Sequence, residues 1–73
     1  MKGDEEFRTE VDRLRKIFKE ALPVGRDHTA TALALALVGG DEAMTANLSK
    51  RSFMFIAQQA WEHLEDEENE RTG

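Results

Sequence analysis

With 73 residues and 8.3 kDa, the chain has room for one small domain spanning 1–73. It is 40% apolar and 34% charged, with a formal charge of −5 and no cysteine. That excludes a disulfide scaffold, a thiolate zinc site and a cysteine nucleophile. No apolar run approaches the roughly 18–20 residues of a membrane span, and the charged N-terminus is unlike a secretory signal. A cytoplasmic protein is therefore the expectation, with no membrane partner.

Residues 4–22 read as an amphipathic helix. Asp4 is placed to cap it, and Glu5 and Glu6 suit the positive end of the helix dipole. Phe7, Val11, Leu14, Phe18 and Ala21 follow one another at spacings of four, three, four and three, a short heptad stripe. Ile17 and Leu22 widen the stripe, and the remaining positions are charged. Pro23 ends the helix, because the residue before a proline resists the α conformation.

Pro-Val-Gly-Arg-Asp at 23–27 reads as a connector, with Asp27 a candidate cap for the next helix. That helix is expected over about 28–38. Leu33, Leu35 and Leu37 alternate with the period of a strand, but Ala and Leu have the best helix propensities and no neighbouring segment offers a strand partner. Gly39-Gly40 reads as its stop. A third helix then starts at Asp41 and runs to about 68. A break near Asn47-Leu48-Ser49 and an unbroken helix are both left open, Asn47 or Ser49 being able to recap. Phe53, Ile56, Ala57, Ala60 and Leu64 form one stripe, Met54 and Trp61 an adjacent one, and Phe55 lies off both. The ends, 1–3 and 69–73, are expected to be loose. The fold class is all-α, a bundle of three to four helices completed by oligomerisation.

Charge is unevenly spread. Residues 1–27 carry seven acids and seven bases, 28–60 two of each, and 61–73 six acids against Arg71, so the whole net charge lies at the C-terminal end. Such an end repels nucleic acid and anionic lipid, and nucleic acid is not an expected partner.

No catalytic set, metal site or cofactor motif is read. Asp27-His28-Thr29 has the letters of a triad, but adjacent residues at a helix start diverge around the axis and cannot relay a proton in that order. His63 and Glu67 are spaced as two metal ligands and lack a third. Arg26, His28 and Thr29 beside Gly25, joined by Lys50 and Arg51 in an oligomer, make a candidate anion site for a small phosphorylated ligand or nucleotide. Helices 28–38 and 41–48 around Gly39-Gly40 have the order of a helix-turn-helix, although the would-be recognition helix begins with two acids.

The leading expectation is a non-enzymatic interaction module, a homo-oligomer (dimer favoured) that regulates, adapts or inhibits a protein partner. Phe53, Phe55, Trp61 and Leu35 are its expected interface residues, because they point in more directions than one chain can cover. The alternatives are the phosphorylated-ligand protein and a DNA-binding regulator.

Overall fold

In the computed structural model, which describes residues 2–72, the chain is all-helical, with no strand among the described residues. The order is α1 (Lys2–Ala21), α2 (His28–Thr45) and α3 (Lys50–Thr72). Helix therefore extends through 2–3 and 69–72, stretches expected to be loose, while Met1 and Gly73 lie outside the described residues. The chain divides into two compact units, residues 1–31 and 32–73.

The first unit holds α1, the connector and the opening turn of α2. Along α1, Thr9 donates to the Glu5 carbonyl at 3.0 Å and Arg13 pairs with Glu10 at 2.7 Å. The helix stops before Pro23 as expected. Gly25 supplies a left-handed residue (φ 81°), which costs glycine little and lets the chain reverse. Arg26 donates to the Pro23 carbonyl at 3.0 Å, closing the connector on itself. Asp27 then caps α2. Its carboxylate accepts the Ala30 amide at 2.8 Å, and its carbonyl accepts the Thr31 amide at 3.0 Å, the first helical bond.

The second unit corrects one sequence reading. Gly39-Gly40 does not stop the helix, and no new helix begins at Asp41: α2 continues to Thr45. A glycine stop requires a left-handed backbone, and neither glycine has one. Two glycines inside a helix cost about 2 kcal/mol relative to alanine, a penalty that propagation and packing can outweigh. The space has a use here. A Cβ on Gly39 would meet the Phe53 ring at 3.3 and 3.4 Å, so the absence of a side chain lets that ring approach the backbone of α2. Asp41, expected as a cap, lies inside α2 and its carbonyl accepts the Thr45 hydroxyl at 3.0 Å.

The break falls at 46–49, and Asn47 carries it in the left-handed region (φ 59°). The Leu48 amide donates to the Ala43 carbonyl at 2.9 Å and the Asn47 amide to the Met44 carbonyl at 3.0 Å. These are the paired bonds of a Schellman end, with Asn in the place glycine usually fills. Ser49 recaps: its hydroxyl accepts the Ser52 amide at 3.1 Å and its carbonyl accepts the Phe53 amide at 3.0 Å. Ala43, at the start of this turn, is the one buried residue among those described. The helix-turn-helix arrangement read around Gly39-Gly40 is not formed, because α2 is continuous there.

Candidate interaction surfaces

Apolar side chains at helical spacing make the surfaces, and in each unit they face outward. On α1 the stripe Phe7, Val11, Leu14, Phe18 is exposed, from 36% at Leu14 to 69% at Phe7. Its spacings of four, three and four keep it on one side of the helix, Ile17 widens it, and charged residues dominate the remainder. The Arg13 hydrogen bond holds the Glu10 carboxyl below its ordinary value, with desolvation opposing and the Arg13 charge assisting. The same bond raises Arg13.

On α2, Leu33, Leu35, Leu37 and Val38 are all exposed. Leu35 points away from Leu33 and Leu37, because successive alternate positions turn by about 200° on a helix. The helix therefore has apolar side chains on more than one face.

On α3 the aromatic residues separate. Phe53 is half-buried at its seat against Gly39, so this expected interface residue is occupied inside its own unit. Phe55 (61% exposed) and Trp61 (66%) are open, as are Met54, Ile56 and Leu64. Arg51, Met54, Phe55, Ala57 and Gln58 line an open depression of about 520 Å³. Its lining is mostly apolar, with Arg51 and Gln58 supplying the polar groups. The Gln58 amide is held by Glu62 at 3.1 Å. Further along, His63 pairs with Glu67 at 3.1 Å, and Arg71 lies 4.0 Å from Glu68.

The candidate anion residues fall on separate units, Arg26, His28 and Thr29 on the first and Lys50 and Arg51 on the second. At the start of α2, the carboxylate of Asp27 occupies the amide that an anion would use, and it brings a like charge. Arg26 is turned back onto Pro23, and its buried Nε has no hydrogen-bond partner. At the start of α3, the hydroxyl of Ser49 fills the equivalent place. Lys50, Arg51, His28 and Thr29 are exposed. Asp27 is engaged by the Ala30 amide and not by His28. No group of three or more His, Asp or Glu side chains among the described residues is placed to hold a metal ion. No helix among the described residues is long and apolar enough to cross a membrane.

The sequence reading missed the Gly39 seat. A signal for it exists: Gly39 and Ala43 are small residues one helical turn apart, and an aromatic follows ten residues after Ala43 across a turn. No family model matches the chain, and no curated protein or solved structure matches it either.

Proposed function

We propose that the chain is a non-enzymatic helical interaction module that associates with copies of itself and, through the assembled surface, regulates, adapts or inhibits a protein partner. One observation carries this reading. Among the described residues Ala43 alone is buried, while Leu33, Leu35, Met54, Phe55, Ile56, Trp61 and Leu64 are open to water. Scattered apolar residues on a surface are ordinary, but this many open ones against one buried residue leave apolar faces that a second molecule would cover. Covering a Phe or Leu side chain fully contributes about 1.5–3 kcal/mol. These side chains are already about half covered, so covering each contributes about 1–1.5 kcal/mol, and three or four per chain in a dimer give a gain comparable to the roughly 4–15 kcal/mol that association costs. Phe55, Trp61 and Leu35 are its interface residues, Phe53 being taken up by Gly39. The acidic C-terminal end favours a protein partner over nucleic acid or anionic lipid. The highly charged composition suits a cytoplasmic setting.

Trp61 is the sole tryptophan and reports on this surface directly. Its emission is expected to shift to the blue as the protein is concentrated from nanomolar to high micromolar, because association removes water from the indole. Phe55→Glu should abolish that concentration dependence while far-UV circular dichroism stays helical. A wild-type emission maximum that is constant and solvent-like over the whole range would refute the reading.

A further inference from the structure

Charge runs along α3 in the opposite sense to the one its dipole favours. α1 has acids in its first turn and Lys19 in its last, the favourable order. α3 has no acid in its first turn, which carries Lys50 and Arg51. Its last turns carry Glu65, Asp66, Glu67, Glu68 and Glu70 against Arg71. Lys50, Arg51, Glu65 and Asp66 are exposed, and none of the four makes an ion pair among the described residues. Fourteen residues, about 21 Å of helix, separate Arg51 from Glu65, so the two ends cannot meet along one helix.

One face of α3 joins these ends. Arg51, Met54, Gln58, Trp61 and Glu65 follow one another at spacings of three, four, three and four, and all are exposed. Phe53, in its seat against Gly39, lies about a third of a turn round the helix from the middle of that face, so the contact with α2 leaves the face open. The depression lined by Arg51, Met54, Phe55, Ala57 and Gln58 lies on it. An apolar lining beside a guanidinium suits an occupant that carries an apolar group next to an acid. The far end of the same face has that chemistry, Trp61 followed one turn later by Glu65.

We infer that the occupant of the depression is the Trp61–Glu65 end of α3 from a second copy, the two α3 helices running antiparallel about a two-fold axis near Gln58. The arrangement is self-complementary, as a two-fold contact must be. Arg51 and Glu65 each lie seven residues from Gln58, so Arg51 of either copy meets Glu65 of the other, twice per dimer. Lys50 adds a second base at the edge of that contact. Trp61 of each copy covers Met54 and Phe55 of the other, and Gln58 meets Gln58. Glu62 flanks the face on the Arg51 side. Its carboxylate accepts from Gln58 at 3.1 Å and stays at the rim, in reach of the same guanidinium. The acidic ends also come to lie beside the positive end of the second copy's α3 dipole. A parallel pair would set Lys50 and Arg51 against themselves and the acidic ends against each other, both repulsive. The inference rests on the reading that the chain associates with itself, and it adds which helix pairs and in which sense.

The absence of native cysteine makes the test direct, since one introduced thiol per chain reports one distance. Under mild oxidation of the full-length protein, Gln58→Cys, beside the axis, should form a covalent dimer. Arg51→Cys alone and Glu65→Cys alone should stay unlinked, because like thiols lie about 21 Å apart in the antiparallel pair. An equimolar mixture of the two should link. A parallel pair gives the reverse, each variant linking to itself. Charge reversal supplies a second readout. Arg51→Glu and Glu65→Arg should each weaken self-association about tenfold, and an equimolar mixture of the two should form heterodimers at wild-type strength. An unlinked Gln58→Cys protein, an Arg51→Cys protein that links to itself, or a reversal mixture no tighter than its components overturns the antiparallel α3 pair. If wild-type protein is dimeric when this happens, self-association stands and only the α3 pairing falls; a monomeric wild type removes both.

Discussion

Gly39 and Gly40 are neighbours in the same helix and should respond oppositely to the same change. Alanine is about 1 kcal/mol more favourable than glycine inside a helix. A Cβ on Gly40 meets no heavy atom within 4 Å, so Gly40→Ala should raise stability by about that amount. A Cβ on Gly39 meets Cε1 and Cζ of Phe53 at 3.3 and 3.4 Å, closer than the roughly 3.5–4.0 Å at which two carbons attract best. The ring must then move by a few tenths of an ångström from a half-buried seat. That should remove most or all of the propensity gain, leaving Gly39→Ala about 0.5–1 kcal/mol below Gly40→Ala. Urea denaturation followed by circular dichroism measures both, at one fixed protein concentration because association shifts apparent stability. A cycle with Phe53→Ala isolates the contact: in that background the two alanine variants should gain equally. Equal gains in the wild-type background, or a difference that persists without Phe53, would refute the seat.

Asp27→Ala removes the cap on α2 and should cost about 1 kcal/mol in the same urea assay, while Asp27→Asn keeps the acceptor and most of the stability. Asn47→Ala forces a Cβ-bearing residue without a local side-chain hydrogen bond into the left-handed region and should cost about 1 kcal/mol, whereas Asn47→Gly should be tolerated. Glu10 has its folded-state value depressed by the Arg13 hydrogen bond, so its contribution is fully present above the unfolded value of about 4.3 and is lost as pH falls through the folded value. The pair is exposed and its effect small, so a circular dichroism titration below pH 5 should show a slightly larger fall in helix signal in wild type than in Glu10→Gln.

Local chemistry was legible in the residues. Asp27 and Ser49 were readable as caps because each follows a break between helices and its side-chain oxygen reaches the amide three residues on, whereas Asp4 and Asp41, read the same way, lie inside α1 and α2. Pro23 was readable as a stop for the same kind of reason, and the Ala-Leu run at 30–37 followed propensity over alternation. Gly39-Gly40 was misread because a glycine pair has two meanings. It ends a helix when the backbone turns left-handed, and it admits a neighbour when the backbone stays helical. Only the position of Phe53, fourteen residues after Gly39 and beyond a turn, decides between them. The same contact explains why the aromatic residues could be listed but not sorted. Periodicity assigns Phe53 and Phe55 to different stripes, but not which stripe packs within the unit. For the anion residues the sequence pattern reads two ways, because Gly-Arg-Asp-His-Thr contains its own anion: Asp27 takes the Ala30 amide, one of the donors at the start of α2.

Sedimentation equilibrium of the unmodified protein across the micromolar range tests the central claim most directly. Association predicts a mass at least twice the 8.3 kDa of one chain, falling toward it on dilution. A mass of one chain at every concentration would contradict it.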